Sequence, residues 1–153
     1  MRSYTCEAKD LTGAADGGAL ELAALDGAVQ AASLSLTVNA LECGNGTMNG
    51  HMRKALKATE HGTISFRLGD YQVVSVGAAE AKVKIDGTLT IAGQSKQVSI
   101  DGAASPAAGG ALRVKGSEEI LMSEYGVKAP SLMMGTMKVA DRVKINFDVV
   151  LRQ

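Results

Sequence analysis

The sequence predicts an all-β protein, an antiparallel β-barrel with one short helix covering an end. Polar and apolar residues alternate strictly in several segments, turn residues separate these segments, and a single segment has helical spacing. Because no helices alternate with the strands, an antiparallel barrel or sandwich is expected. We favour the barrel because closing a sheet removes its edges. The 153 residues suit one core, so residues 1–153 are expected to form one domain.

Alternation is most regular in the last segment, RVKINFDVVLRQ. Val143, Ile145 and Phe147 fall on one face there, while Lys144 and Asn146 fall on the other. The same period of two predicts strands near 33–39, 64–68 and 82–91. Further strands are expected at 3–13, 18–30, 71–77, 96–104 and 111–121. Glycine-rich or polar turns are expected at 13–18, 26–27, 69–70, 93–94 and 105–110.

The segment 47–58 is the one place where the sequence predicts a helix. Asn45 or Thr47 can cap its first turn. The apolar residues that recur there at helical spacing are Met48, Met52, Ala55 and Leu56. A helix this short is marginal in water unless one face is buried. We therefore expect its methionine and leucine face to pack on the sheet at one end of the barrel.

The composition excludes several classes of function. Lys plus Arg and Asp plus Glu both total 16, and no basic stripe with interleaved aromatic residues is present, so no nucleic-acid partner is expected. No apolar run approaches the roughly 18 residues of a membrane span, so no membrane insertion is expected. The first residues do not read as an export signal, which has been removed or never existed. With 3% aromatic residues, any cavity is expected to be lined by aliphatic and methionine side chains.

Residues that could carry catalysis or bind a metal are sparse. His51 and His61 do not share a helical face, and we interpret both as solvated residues. Glu118 and Glu119 are neighbours on a predicted strand, so they point to opposite faces and are interpreted as surface charges. The run 44–47 lacks the lysine and serine of a phosphate-binding loop, and no G-x-S-x-G motif is present. The sequence therefore predicts neither an enzyme nor a metal site.

The two cysteines, Cys6 and Cys43, leave two alternatives open. They are too few for a structural zinc site and do not form a C-x-x-C redox pair. As a disulfide they would close a loop of 37 positions and stabilise the fold by about 4 kcal/mol. Otherwise they remain two thiols in a reducing compartment.

Several separate motifs, in the same order, resemble those of the YceI-like family of bacterial proteins. They are KALKA at the end of the helix, TISFRL, GTLTIAGQSKQVSIDG and SEYGVKAPSLMMGTMKVADRVKINFDVVL. The hairpin G-x-LTI-x-G-x-x-K-x-V, residues 87–98 here, is the most specific of them, and the resemblance covers about residues 33–152. It implies a lipocalin-like antiparallel barrel with an elongated apolar interior that binds polyisoprenoid or similar amphiphilic chains, usually in the periplasm.

The resemblance also carries expectations about particular positions. Some branches of the family have a cysteine pair that matches Cys6 and Cys43, which favours the disulfide. The family has a Tyr-Pro or similar pair where this chain has His61 and Gly62, so that turn is expected to depend on glycine. The family begins with a strand that precedes the position of Ser3, and we expect this chain to lack it. Because an open edge can recruit a second copy, a homodimer is expected.

We therefore expect a binding protein that stores or transports a hydrophobic small molecule such as an isoprenoid quinone, a polyprenyl lipid or a fatty-acid-like lipid. No other cofactor is expected, and the resemblance implies a periplasmic or secreted location. The candidate ligand-binding residues are Leu36, Phe66, Ile85, Leu89, Ile145 and Phe147, with Met48, Met52 and Leu56 at the helix-covered end. Tyr125, Lys128 and Lys138 are candidates for contact with a headgroup. The alternative is a structural barrel, filled by its own side chains, that binds a protein partner or responds to stress.

Methionines are the other feature of interest, because soft, unbranched side chains at the barrel mouth could let a lipid tail enter. They otherwise fill gaps at the barrel end. Besides the two on the helix they are Met122, Met133, Met134 and Met137.

Overall fold

A curled, seven-stranded antiparallel sheet forms most of the protein. The computed structural model describes residues 5–9, 11–18, 20–127, 131–132, 137–138 and 141–152. The strands are β1 Thr12–Gly17, β2 Val29–Thr37, β3 Thr63–Val76, β4 Ala81–Ile91, β5 Gln94–Ala107, β6 Ala111–Leu121, β7 Ser131–Leu132, β8 Met137–Lys138 and β9 Arg142–Leu151, and the helix α1 is Gly46–Ala55. The large sheet has the order β1-β2-β3-β4-β5-β6-β9, and β7 pairs with β8 separately. The predicted all-β antiparallel fold with one helix is thus confirmed.

The barrel is a half-barrel over the described residues. β1 and β9 stand at the two edges of the large sheet, and no pairing joins them in the described part of the chain. Neighbouring strands in this sheet are also consecutive along the chain, except that β6 pairs with β9. Short turns connect the strands from β3 to β6, whereas the connection between β2 and β3 contains α1.

The strand register assigns one set of apolar residues to the concave, inner face of the sheet. Leu34 on β2 lies opposite Phe66 on β3, which in turn lies opposite Leu89 on β4. Ile85 on β4 lies opposite Ile100 on β5. Because alternate residues point to opposite faces, the residues in phase with these share the inner face. The alternation read from the sequence therefore separates the inner from the outer surface.

Two hydrophobic clusters close the two ends of this inner face. The cluster at the helix end, called here the α1-end cluster, is built on Val38, Leu56, Leu89, Ile91, Ala92, Met122, Tyr125 and Val127. The cluster at the other end, called the far-end cluster, is built on Leu25, Ala28, Ala81, Val83, Ala104 and Leu112. The far-end cluster also contacts Leu22, which begins a short 3-10 turn at Leu22–Ala24. Each end of the sheet is thus covered by a segment that leaves the strands.

The helix α1 begins at Gly46, directly after Asn45, which is one of its two predicted caps. The Asn45 side chain accepts hydrogen bonds from the backbone N–H groups of Thr47, at 2.9 Å, and Met48, at 3.1 Å. These bonds satisfy two of the N–H groups that every helix leaves unpaired at its start. The helix ends at Ala55, three residues earlier than predicted, because Lys57 adopts a left-handed conformation with φ of 56°.

Two of the predicted strands are wrong. In place of the strand predicted over 3–13, the described residues 5–9 have an isolated bridge from Glu7 to Glu42, and β1 occupies the residues where a turn was predicted. Instead of a strand over 18–30, the chain forms the Leu22–Ala24 turn, and β2 begins only at Val29. The segment LELAAL is rich in residues that favour helical turns. The small residues of β1 have little strand propensity of their own, and pairing with β2 places them in the sheet.

The predicted turn at 69–70 is also wrong, because β3 continues through it. The register between β3 and β4 shifts between Leu68 and Asp70, which is a β-bulge that takes up an extra residue without reversing the chain. The predicted loop at 105–110 is shorter than expected, since β5 extends to Ala107. The turn at Asp26 and Gly27 is confirmed.

The β4–β5 hairpin turns through Ala92 and Gly93, one residue earlier than predicted. Their φ angles of 51° and 79° are both positive, as a two-residue type I′ turn requires. A Cβ atom added to Gly93 would lie 2.7 Å from Cε1 of His61, so the imidazole ring packs directly against this turn. Within the described ranges, no helix is both long enough and apolar enough to cross a membrane.

Candidate ligand-binding site

The inner face between the two clusters is an apolar band, which we call the waist. The strand pairings and the alternation along each strand identify the residues of the waist. They are Leu68, Gly87, Ile100, Gly102, Gly116, Glu118, Phe147 and Val149. Ile100 is buried, whereas Leu68, Phe147 and Val149 are only half-buried. The inner face thus forms a trough. Side chains of the two clusters close its ends, while apolar side chains of the waist keep part of their surface accessible.

Two glycines of the waist allow phenylalanine rings to lie close to the sheet backbone. A Cβ atom on Gly116 would lie 2.5 Å from Cζ of Phe147, which is the residue opposite it on β9. A Cβ atom on Gly87 would collide in the same way with the ring of Phe66. Glycine is therefore required at both positions for the rings to approach the backbone this closely. Both rings therefore lie close to the backbone in the middle of the trough.

The predicted ligand-binding residues on strands all fall on the inner face. Leu36, Phe66, Ile85, Ile145 and Phe147 are half-buried there, and Leu89 is 9% exposed. The α1-end cluster brings together Phe66, Leu89 and Ile145. Ile85 instead packs against the far-end cluster, while Leu36 and Phe147 belong to neither. The predicted residues thus spread along the trough rather than forming one pocket.

The three predicted helix residues also lie at the α1 end. Leu56 belongs to the α1-end cluster and Met52 packs against it. Met48 is 2% exposed but is not part of that cluster. Met122 is buried in the cluster, whereas Met133 and Met134 fall outside the described residues. Met48 and Met122 therefore fill space, as expected if methionines complete the barrel end.

Glu118 is the site residue that sequence reasoning missed. It was interpreted as a surface charge, but it is half-buried and follows Gly116 on the inner face of β6, opposite Ile145 of β9. Glu119, its neighbour, is exposed on the outer face. The signal was present in the sequence, since Glu118 is in phase with Val114 and Ile120 along the strand.

Tyrosines contribute to closing the trough rather than to lining an opening. The Tyr71 hydroxyl donates to the Leu25 carbonyl at 2.6 Å and accepts from the Val29 N–H at 2.9 Å, which fastens the far-end segment to β3. Tyr125 is 1% exposed within the α1-end cluster, and its burial, with a smaller effect from Glu124, raises the pKa of its phenol. Of the other headgroup candidates, Lys128 and the side chain of Lys138 lie outside the described residues.

The disulfide between Cys6 and Cys43 is present and joins the start of the chain to the loop before α1. Next to it, the Asn49 amide donates to both carboxylate oxygens of Glu42 at 3.0 Å, and its Oδ1 accepts from the Cys43 N–H at 2.7 Å. These hydrogen bonds, the Asn49 amide first and then the Gly44 N–H, lower the pKa of Glu42. The loop is thus held to the helix by one covalent bond and a polar network.

Two open grooves flank the edge strand β1. One has a volume of about 480 Å³ and includes Leu36 in its lining, and the other, about 490 Å³, includes Leu34 and Phe66. Both also contain hydroxyl side chains such as Ser35. By register Ser35, Ser65 and Arg67 belong to the outer face, so the grooves mix inner-face apolar residues with outer-face polar ones at the open edge of the half-barrel.

The histidines do not come together with other metal-binding side chains. His51 is half-buried on α1, while His61 is exposed with its ring against the hairpin turn. In the chain as far as it is described, no group of three or more His, Cys, Asp or Glu side chains is placed to hold a metal ion.

A curled antiparallel sheet with an apolar inner face and a helix at one end defines a lipocalin-like β-barrel protein. A model of the YceI-like domain matches residues 4–151, so the chain belongs to the YceI-like family. The match begins well before residue 33, where the resemblance seen in the sequence began. No curated protein gave a significant match.

Solved structures share this fold. The Campylobacter jejuni YceI protein superposes with a TM-score of 0.72 at 17% identity, covering 100% of this chain and 88% of that one. BcnA of Burkholderia cenocepacia gives 0.71 at 20% identity, covering 94% and 85%. A polyisoprenoid binding domain from Saccharophagus degradans gives 0.62 at 15% identity, covering 78% and 75%.

Proposed function

We propose that this protein binds, stores or transports a long-chain amphiphile, such as an isoprenoid quinone, a polyprenyl lipid or a fatty-acid-like lipid, without chemical change. The observation that carries the proposal is the waist, where an apolar band between two closed ends keeps part of its surface accessible. The similarity in fold to a polyisoprenoid binding domain supports the same class of ligand.

The driving force for such binding is the removal of apolar surface from water. Each buried methylene contributes about 0.8 kcal/mol, so a few isoprene units suffice for substantial affinity. The candidate contacts are the half-buried residues Leu36, Phe66, Ile85, Ile145 and Phe147. Leu89, Met48, Met52 and Leu56 support them at the α1 end, where side-chain packing is already dense.

We propose a periplasmic or secreted location for the protein. The Cys6–Cys43 disulfide supports it, because disulfides persist in oxidising compartments and are rare in reducing ones. Fractionation of the native cells, followed by thiol labelling without reductant, tests this. A labelled, cytosolic protein would contradict the proposal.

Organic extraction followed by mass spectrometry of the protein purified from its native cells tests the binding function. We expect a co-purified long-chain lipid, retained by the wild type and by Asn146→Gln, whose changed side chain lies on the outer face of β9. The matched variant Phe147→Gln, one residue further on the inner face, is expected to lose most of it. If no lipid is recovered and added polyprenols do not bind, the alternative of a side-chain-filled scaffold for a protein partner replaces this proposal.

We also propose that a second copy of the chain pairs with the outer edge of β9. No described residue pairs with this edge. If two β9 strands met about a two-fold axis at Asn146, Lys144 of each would face Asp148 of the other, and Ile145 would face Phe147. Both faces of the joined sheet would then be complementary, polar outside and apolar inside.

Analytical ultracentrifugation tests this pairing. We expect a concentration-dependent dimer that Lys144→Glu weakens, because the substitution places two carboxylates opposite each other across the joint. Lys84→Glu, on the exposed outer face of a central strand, is the control and is expected to leave association unchanged. A monomer at all accessible concentrations would rule out the interface.

A further inference from the structure

The charge on the inner face is the feature that the proposed function does not use. By register, the inner face of the large sheet carries two charged residues within the described strands, Lys96 opposite Leu89 and Glu118 opposite Ile145. Lys96 is exposed near the β4–β5 turn, and Val98, which packs against the α1-end cluster, separates it from the waist. Among the described residues, Glu118 therefore provides the charge of the waist.

The surroundings of Glu118 are apolar along and across the strand. On the same face of β6 it follows Gly116, over which the Phe147 ring lies, and precedes Ile120. The strand partner on β9 is Ile145. One carboxylate oxygen accepts a hydrogen bond from the Glu119 N–H at 3.1 Å. No described cation pairs with this carboxylate.

The position of Glu118 also coincides with a break in the sheet. Pairing between β5 and β6 runs from Ala107 opposite Ala111 to Asp101 opposite Ser117 and ends there. Glu118 is the next residue, so its carboxylate lies where β5 and β6 stop pairing. A bound chain lying in the waist could direct its polar end to this place, since charged groups interact more strongly where apolar walls exclude water.

We propose that Glu118 narrows the range of ligands given above: it makes the trough selective for amphiphiles whose polar end is neutral or cationic, and against those that end in a phosphate or a carboxylate, free fatty acids included. The inference rests on the proposed function, because it concerns the polar end of a ligand whose chain occupies the waist. A cationic end placed beside the carboxylate gains a charge-assisted hydrogen bond. An anionic end must instead approach a like charge in a partly apolar setting, which disfavours binding.

Competition binding with three ligands of identical chain tests the selectivity: farnesol, farnesylamine and farnesyl monophosphate. For the wild type we expect farnesylamine to bind more tightly than the phosphate, with farnesol between them. Glu118→Gln keeps the size of the side chain and removes its charge. It is expected to weaken the affinity for farnesylamine and to strengthen the affinity for farnesyl monophosphate, each by about fivefold, and to leave the affinity for farnesol unchanged. Glu118→Lys is expected to reverse the order.

Glu119→Gln is the matched control, because it removes the same charge from the next residue on the outer face. It is expected to leave all three affinities as they are. If farnesol binds but Glu118→Gln leaves the ratio of amine to phosphate affinity unchanged, the selectivity proposal is overturned and the binding function stands. If farnesol binds to none of the variants or the wild type, the binding function itself fails.

Discussion

At Gly116 the backbone of β6 lies directly under the ring of Phe147, and this contact depends on a single missing Cβ atom. The same arrangement recurs where the ring of Phe66 covers Gly87. Because neither glycine has a side chain, both rings lie close to the sheet backbone. The shape of the candidate site is therefore decided by residues that have no side chain.

Replacing Gly116 with alanine is expected to lower the free energy of unfolding by about 1–3 kcal/mol, because the ring of Phe147 must move away from the added methyl group. Urea denaturation measures the change. Gly50→Ala is the control: a Cβ atom there meets nothing within 4 Å, and in α1 it is expected to stabilise by about 0.5–1 kcal/mol. Equal effects of the two substitutions would show that the ring does not depend on the glycine.

Glu42 is the second residue whose local contacts predict a measurement. Its hydrogen bonds from Asn49 and Gly44 favour the charged form and lower its pKa below the ordinary value of 4.5. The hydrogen bonds stabilise the folded protein while Glu42 is charged. This stabilisation is fully present at pH values above the ordinary pKa and is lost as the pH falls through the lowered pKa. Glu42→Gln is therefore expected to melt at a lower temperature than the wild type at pH 7.

The difference in melting temperature between Glu42→Gln and the wild type is expected to shrink as the pH is lowered from 5 to 2. Thermal melts across this range by circular dichroism provide the test. Glu60→Gln, an exposed residue after α1, serves as the control and is expected to behave like the wild type throughout. A difference that stays constant with pH would mean that the charge of Glu42 is not involved.

The helix α1 is the element that closes one end of the trough, and its start depends on one side chain. The sequence left Asn45 and Thr47 as alternative caps. In the structure it is the Asn45 side chain that accepts from the first free N–H groups, while Thr47 contributes only its backbone. Removal of the cap thus acts on the element that carries Met48 and Met52.

Asn45→Ala is expected to destabilise the protein by about 1 kcal/mol, since two N–H groups of the first turn lose their acceptor. Thr47→Ala, two residues away, is the matched control and is expected to change stability by less than about 0.5 kcal/mol. Chemical denaturation followed by circular dichroism compares the two. A larger loss of stability for Thr47→Ala than for Asn45→Ala would contradict the assignment of Asn45 as the cap.

For the whole molecule, the disulfide joins the described segment 5–9, which pairs through one isolated bridge, to the loop before α1. Cys6 lies next to Glu7, whose bridge to Glu42 is isolated from the large sheet. The neighbouring edge strand β1 is exposed along its length. The covalent bond therefore holds a region in which non-covalent packing is thin.

The Cys6→Ser, Cys43→Ser double variant is expected to unfold with about 4 kcal/mol less free energy than the wild type, because the unfolded chain regains the freedom of a 37-position loop. Adding a reductant is expected to lower the stability of the wild type similarly and to leave the double variant unchanged. Equilibrium denaturation with and without reductant measures both. Wild-type stability that is insensitive to full reduction would contradict this account.

Much of the fold follows from local patterns. The alternation of 142–151 predicted β9 and its inner face correctly, because whether a side chain is buried shows directly in its polarity. The same reasoning placed Leu36, Phe66, Leu89 and Ile145 on the inner face. It misjudged Glu118, because a charged residue was taken to mark a surface position even where it was in phase with apolar neighbours.

By itself the sequence determined the antiparallel all-β class, the apolar face of each regular strand and the position of the helix. The family resemblance favoured the pairing of Cys6 with Cys43, and the structure decided it. The tertiary structure alone decided that the small residues of β1 form a strand, that β3 runs on through a bulge, and that the pairing of β5 with β6 ends just before Glu118. The physical reason is that side-chain polarity and capping are local, whereas strand pairing and curvature depend on distant partners.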